Sequence, residues 1–195
     1  NNGDLDSSRW FKMAEDNWNK FRVSKSLNLY TNLNYQNKLT NQNLNSRYIV
    51  LYTASSKDVS AALYDRQSNK LEFVVESKTY CYFTNSKDEA YYLLAFLNSN
   101  YANKMIKNFQ TKGDFGHRDI HKRILKVPLD LFDNSNKKHL KIVTLSKECE
   151  LISKKVLSNF DKDKNKLNPL SLGKLRLEIR ASIDSNLKKI DNIFE

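Results

Sequence analysis

The sequence lacks long apolar runs and has little glycine, proline or cysteine. Its 195 residues include four glycines and two prolines, which is not typical of a disordered or low-complexity chain. No stretch of about 20 apolar residues occurs, so no segment is a candidate for a membrane-spanning helix. Cys81 and Cys149 lie far apart in apolar stretches, a pattern typical of two reduced, buried thiols in a cytoplasmic protein. The start at Asn1, without a charged and then apolar leader, is consistent with a piece of a longer polypeptide.

Acidic residues are few compared with basic ones. The 33 Lys and Arg residues exceed the 22 Asp and Glu residues, and the formal net charge is +11. A basic protein is attracted to polyanions such as nucleic acid or an anionic membrane surface. The alternative is a solvated, lysine-rich surface in a sequence that is rich in Lys and Asn throughout. The charge by itself therefore favours nucleic-acid binding only modestly.

The apolar periodicity predicts an α+β fold, in which a small, mostly antiparallel sheet packs on helices. Residues 1–46 are polar and rich in Asn, which predicts short helical or irregular elements. Four segments that are rich in β-branched and aromatic residues predict strands, and Ser77-Lys78 is short enough for a tight hairpin between the last two. The four segments are residues 47–53, 59–64, 71–75 and 79–83.

Helical patterns follow the predicted strands. Residues 86–89 (SKDE) match a capping box, which predicts a helix start at Ser86, with a break at residues 98–100 and an end before Gly113. Residues 119–127 predict an extended segment that Pro128 closes. Two apolar seams, residues 142–156 and 172–194, predict a long antiparallel helical hairpin. We therefore divide the chain into an α+β domain, residues 1–135 with 1–46 as its lead-in, and a hairpin, residues 136–195.

No pattern in the sequence predicts catalysis or metal binding. The pair Gly113 and Gly116 follows a predicted helix rather than a strand, which is the wrong context for a loop that cradles a cofactor. His117 and His121 have the spacing of a zinc-protease pair, but no Glu lies between them and the segment follows a glycine. We expect no catalytic residue, no metal site and no cofactor in this chain.

The most informative segment runs from residue 104 to residue 126. It carries seven Lys or Arg residues and two Asp residues, together with two of the four glycines. Lys side chains and glycine-exposed amides contact phosphates, and an Arg can donate two parallel hydrogen bonds to a guanine edge. The segment thus predicts a DNA-binding loop, although a solvated basic face is the simpler alternative. The candidate DNA-binding residues are Lys112, Gly113, Gly116, His117, Arg118, His121, Lys122 and Arg123.

Three stretches within residues 91–132 resemble one family. They are residues 91–99 (YYLLAFLNS), 110–123 (QTKGDFGHRDIHKR) and 125–132 (LKVPLDLF). They resemble the C-terminal target-recognition region of adenine-specific DNA methyltransferases of the restriction-modification type, and type I specificity subunits are similar. The likeness extends over residues 30–195, and residues 91–132 are its distinctive part.

The resemblance implies that the chain recognises a DNA sequence for an enzyme whose catalytic domain lies elsewhere. The Asn/Asp-Pro-Pro-Tyr motif of the family is missing, since Pro128 and Pro169 are the only prolines. Leu129 and Asp130 also replace the second proline of the loop after the recognition segment. The implied partners are double-stranded DNA and a methyltransferase catalytic domain, in the same or a partner chain, which would bind S-adenosylmethionine.

The resemblance also assigns roles to individual side chains. It makes Arg118 and Arg123 the candidates for contact with base edges, His117 and His121 for secondary contacts, and Lys112 and Lys122 for phosphates. The predicted hairpin would dock the domain on the catalytic domain or hold a fixed spacing to another module. Two alternatives stay open, which are a protein-interaction module that uses the hairpin and an RNA-binding module that uses the basic loop.

Overall fold

The chain forms two compact units. The N-terminal unit comprises Asn1–Asn43 and Val74–Ser77, and the main unit comprises Leu44–Phe73 and Lys78–Glu195. The computed structural model describes residues 5–22, 28–68, 73–75, 79–113, 116–117, 119–160 and 168–195.

The N-terminal unit is mainly helical. Helix α1 (Leu5–Phe21) has 17 residues, so it is longer than the short elements expected for the lead-in. Helix α2 (Leu29–Leu33) begins at Asn28, whose side chain accepts a 2.7 Å hydrogen bond from the amide of Thr31. A short cap of this kind satisfies an amide that the first helical turn cannot. The polar, Asn-rich lead-in therefore begins as one regular helix and continues as short turns.

A three-stranded antiparallel sheet lies in the main unit. Its strands are β1 (Tyr48–Thr53), β2 (Ala61–Asp65) and β3 (Thr79–Thr84), in the spatial order β2-β1-β3. Val50 of the central strand is opposite Leu63 on one side and Tyr82 on the other. Three of the four predicted strands are therefore confirmed, and with them the α+β class.

The predicted strand over residues 71–75 is wrong for the part that the structure describes. Residues 73–75 have no regular secondary structure, and residues 71–72 and the expected turn at Ser77-Lys78 lie outside the described residues. The carbonyl of Phe73 accepts from Arg66 at 3.1 Å. The amide and carbonyl of Val75 both bond to the Gln42 side chain at 2.7 Å. Side chains thus satisfy backbone groups that a neighbouring strand would otherwise pair.

Two consecutive helices cover one face of the sheet. Helix α3 (Lys87–Asn98) begins at Ser86, whose hydroxyl accepts from the amide of Glu89 at 3.2 Å. The predicted helix start is confirmed, but only half of the capping box forms, because the Glu89 carboxylate accepts from Tyr82 and Thr84 instead. Ser99 is buried and caps helix α4 (Asn100–Ile106), which confirms the predicted break.

Helices α5 (Lys137–Phe160) and α6 (Pro169–Phe194) form the predicted antiparallel hairpin. Ile142 near the start of α5 shares a core cluster with Ile190 near the end of α6. Pro169 occupies the first turn of α6, where its missing amide leaves no hydrogen bond unmade. Within the described residues, no helix has both the length and the apolar character needed to cross a membrane.

Two apolar clusters hold the main unit together. The first lies between the sheet and α3 with α4, and it includes Val50, Phe96 and Ile106. The second lies between α3 and the hairpin, and it includes Tyr92 and Leu187. Helix α3 contributes to both clusters, so it connects the sheet to the hairpin.

Candidate nucleic-acid interface

A short two-stranded ribbon follows α4, within the segment that the sequence marks as basic. Strand β4 (Lys112–Gly113) pairs antiparallel with β5 (Gly116–His117), so that Lys112 is opposite His117 and Gly113 is opposite Gly116. The sequence predicted a loop here without strands. The absence of Cβ atoms at the glycine pair lets another backbone or a ligand approach the ribbon closely.

Hydrogen bonds hold the base of the ribbon. The hydroxyl of Thr111 donates to the carboxylate of Asp119. Thr111 immediately precedes the segment 112–118 and Asp119 immediately follows it. Asp119 has a φ of +58°, a left-handed conformation that Asp tolerates better than most residues. The amide of the next residue, Ile120, donates to the carbonyl of Ala54 at 3.0 Å. The ribbon therefore starts and ends at points that are bonded to each other or to the sheet.

Residues His121–Lys126 form a 3-10 helix, which we call the basic turn. The prediction of an extended segment over residues 119–127 is therefore wrong. Ile120, Ile124 and Val127 are all buried in the first core cluster, and an extended strand cannot place all three on one face because their spacing is four and three. Amide hydrogen bonds from Arg123 and Ile124 to the carbonyl of Ile120, at 2.8 and 3.1 Å, start the helical turn. Burial of these three side chains thus sets the local conformation.

The outward side of the basic turn carries positive charge. Lys122 and Lys126 are exposed and Arg123 is half-exposed. Among the residues that the structure describes, none of the three forms an ion pair, and the ammonium of Lys126 lies 5.8 Å from the ring centre of Phe109. By contrast, Lys107 at the end of α4 is paired with Asp58 at 2.8 Å. Cations without a carboxylate partner leave a positive surface that attracts polyanions.

The candidate DNA-binding residues are in part brought together. Lys122 and Arg123 share the basic turn, which begins four residues after the end of the ribbon at His117. Five other candidates are described by their backbone alone, and Arg118 lies outside the described residues. Sequence reasoning left Lys126 out of the candidate set, although a 3-10 helix has three residues per turn and places it directly beside Arg123. The candidates described by backbone alone are Lys112, Gly113, Gly116, His117 and His121.

A cleft of about 640 Å³ lies beside the basic turn. Its lining includes the half-buried Tyr52 and the buried Tyr92 and Phe96. Leu125 and Lys126 of the basic turn also line it. Burial, and then the charge of Asp130, raise the pKa of Tyr92 to about 12, so its phenol stays protonated at neutral pH. No sequence pattern marks this cleft, because β1, β3, α3 and residues 124–132 each contribute only part of its wall.

The thiols and the potential metal ligands do not form a reactive site in the described residues. Both cysteines are free and half-buried, and burial raises the pKa of the Cys81 thiol, which keeps it in the unreactive protonated form. In the described ranges, no group of three or more His, Cys, Asp or Glu side chains has the arrangement of a metal site.

The chain was compared with models of protein families, with curated proteins and with solved structures, and none of them matches. The resemblance to target-recognition regions therefore stays a prediction, which rests on residues 91–132 of the sequence and on the site described above.

Proposed function

We propose that this chain is the DNA sequence recognition domain of an adenine-specific DNA methyltransferase of the restriction-modification type. It holds duplex DNA for a catalytic domain in the same or a partner chain, and that domain binds S-adenosylmethionine. We place this activity in the cytoplasm, where such an enzyme meets its DNA. The observation that carries the proposal is the basic turn, a core-anchored helix whose three cations form no ion pair with any residue that the structure describes.

The anchoring of the basic turn supports DNA binding. Because Ile120, Ile124 and Val127 are buried, the turn loses little conformational freedom when a ligand binds, and preorganisation of this kind favours affinity. Lys122 and Lys126 are assigned to phosphates, since a flexible ammonium is a point charge. Arg123 is assigned to a base edge, because its guanidinium can donate two parallel hydrogen bonds to guanine. The ribbon β4-β5 next to the turn is of a kind that the major groove of DNA admits.

A salt titration tests the proposal. The chain is titrated with a duplex of random sequence at several salt concentrations, and fluorescence anisotropy gives the affinity. The logarithm of the affinity is expected to fall against the logarithm of salt by about 0.9 for each phosphate that is neutralised. A slope near zero for the unmodified chain would remove the proposal.

A triple variant locates the binding surface. Replacing Lys122, Arg123 and Lys126 with Ala is expected to reduce the salt slope by about one for each cation. The matched control replaces Lys155, Lys174 and Arg176, which lie on α5 and α6. It removes the same charge from the hairpin and is expected to leave most of the slope. Equal losses in both variants would mean that net charge, and not the basic turn, attracts the DNA.

A protein-interaction role is the second candidate, and exposed leucines on the hairpin favour it. Leu151 of α5 and Leu170 and Leu177 of α6 are each about two-thirds or more exposed (67%, 70% and 72%). Leu170 and Leu177 are seven residues, or about two helical turns, apart and so lie on one face of α6. Contiguous exposed apolar surface marks interaction sites, and docking on the catalytic domain would cover this face. Tighter binding of single-stranded RNA than of duplex DNA in the same titration would instead favour the RNA-binding alternative.

A further inference from the structure

The cleft beside the basic turn has the shape and lining to hold a flat aromatic group. Its volume of about 640 Å³ lies within the range of small-molecule sites. Three aromatic residues that line it are not fully buried: Tyr52 and Phe132 are half-buried and Tyr82 is 42% exposed. Leu125, which also lines it, is 76% exposed. Rings of this kind stack on nucleobases of any sequence, because every base has a π-face.

Residues of both charges line the cleft. Lys126 lines it from the basic turn, where Lys122 and Arg123 add to the positive charge. Glu89 and Asp130 also line it, from α3 and from the segment after the turn. A ligand that suits the cleft therefore carries both a negative group and hydrogen-bond donors.

The carboxylate of Glu89 is held in one orientation. It accepts a 3.0 Å hydrogen bond from the hydroxyl of Tyr82 and a second bond from the hydroxyl of Thr84. These two bonds use part of its capacity, since an ionised carboxylate has about four acceptor positions. Acceptor capacity therefore remains on a carboxylate whose residue lines the cleft.

From this arrangement we propose that the cleft binds an unpaired nucleobase with an exocyclic amino group, namely adenine, cytosine or guanine. The base stacks against the aromatic wall, its amino group donates to Glu89, and Lys126 holds the neighbouring phosphate. This inference rests on the proposed function, since it assumes a DNA strand at the basic turn. The cleft would add a preference among bases that the cations of the basic turn do not supply by themselves.

The charges favour a nucleotide over a peptide. An acidic peptide would meet the carboxylates of Glu89 and Asp130, and a basic peptide would meet the three cations of the basic turn. A nucleotide satisfies both, because its phosphate is negative and its amino group is a donor. Thymine and uracil carry carbonyl oxygens where cytosine carries its amino group, and a carbonyl facing a carboxylate is repelled.

Strands of deoxycytidine and deoxyuridine test this inference directly. Both strands have roughly 12 nucleotides, within the usual site sizes for single strands, and both carry the same phosphate charge. At mildly alkaline pH cytosine is neutral, so the strands differ in the hydrogen-bonding edge of the base. The full chain is expected to bind the deoxycytidine strand about tenfold more tightly than the deoxyuridine strand, which is near the lower end of the effect of a hydrogen bond to a charged group.

Substitutions assign the preference to the cleft. Glu89→Gln is expected to abolish the difference between the two strands, because an amide can donate to uracil as well as accept from cytosine. The control is Asp88→Asn, which removes the same charge from the same helical turn. The Asp88 carboxylate is paired with Lys147 at 2.6 Å, so this substitution should leave the difference between the two strands unchanged. Lys126→Ala is expected to weaken the binding of both strands equally and to keep the ratio of the two affinities. Thermal unfolding of each variant shows whether the fold is intact.

The outcomes separate this inference from the proposed function. Equal affinities for the two strands in the unmodified chain, or a preference that survives Glu89→Gln, would overturn the base site alone if salt-dependent duplex binding persists. If the unmodified chain binds neither duplex nor single-stranded DNA, the proposed function and the base site are overturned together.

Discussion

Asp119 combines an unusual backbone conformation with a contact that closes the ribbon. Its φ of +58° is costly for residues with a branched or bulky side chain, by about 1–2 kcal/mol. Its carboxylate accepts from Thr111 across the base of the ribbon. At this position one residue both turns the chain toward the basic turn and connects the two ends of the predicted DNA-binding segment.

Two substitutions at Asp119 test whether these two roles together stabilise the fold. Asp119→Ala is expected to lower the free energy of unfolding by about 1–3 kcal/mol, because Ala disfavours positive φ and cannot accept from Thr111. Asp119→Asn is the control, since Asn tolerates the same φ and keeps an acceptor, and its effect should be much smaller. Urea unfolding followed by circular dichroism measures both values. A loss as large in the Asn variant would mean that the charge of Asp119 matters more than its conformation.

Arg123 and Lys122 are adjacent, yet their substitutions should have different effects on DNA binding. Arg123→Ala is expected to broaden the set of sequences selected from a random duplex library and to cost about 1–3 kcal/mol on the preferred site. Lys122→Ala should weaken binding to all sequences alike and lower the salt slope by about one. If Arg123→Ala also weakens all sequences alike, its guanidinium contacts phosphate. The same selection tests the prediction for Arg118.

At the scale of elements, α6 has a buried face and an exposed face. Leu187 on α6 is buried at 2% exposure, whereas Leu177 on the same helix is 72% exposed. Leu187→Ala is therefore expected to lower the free energy of unfolding by about 2–5 kcal/mol, the range for a buried leucine. Leu177→Ala should change it by about 0.5 kcal/mol or less. Chemical unfolding of both variants tests this, and a large loss at Leu177 would place that residue in a packed contact.

The basic turn shows how far sequence reasoning reached at this scale. The charges of Lys122 and Arg123 and the position of the loop could be predicted, because composition and glycine are visible in consecutive residues. The helical form could not, although the spacing of Ile120, Ile124 and Val127 was a usable signal. These three apolar residues determine the helical form only when β1 and α4 supply the core that buries them.

At the scale of the whole molecule, the candidate site belongs to one unit. The ribbon, the basic turn and the cleft all lie within Leu44–Phe73 and Lys78–Glu195. A shortened protein of residues 44–195 is therefore expected to retain the duplex affinity of the full chain at matched salt, within about threefold, or about 0.6 kcal/mol. Anisotropy titration of the two proteins measures this. A larger loss would assign part of the DNA contact to the N-terminal unit.

The sequence by itself determined the elements whose patterns are local. The β-branched and aromatic composition of residues 47–53 and 79–83, the helix start at Ser86 and the two apolar seams each depend on neighbouring residues. The strands, the helix start and the hairpin that they predict all form. The excess of positive charge is likewise a property of composition, so it was visible before any fold was known.

Only the tertiary structure decided which groups meet across the chain. Residues 73–75 have strand-like side chains, yet Gln42 and Arg66 bond their backbone and no strand forms there. The cleft likewise exists only because β1, β3, α3 and residues 124–132 converge. Hydrogen bonding and burial depend on partners that are distant in sequence, whereas periodicity and composition do not, and this difference separates what could be predicted from what could not.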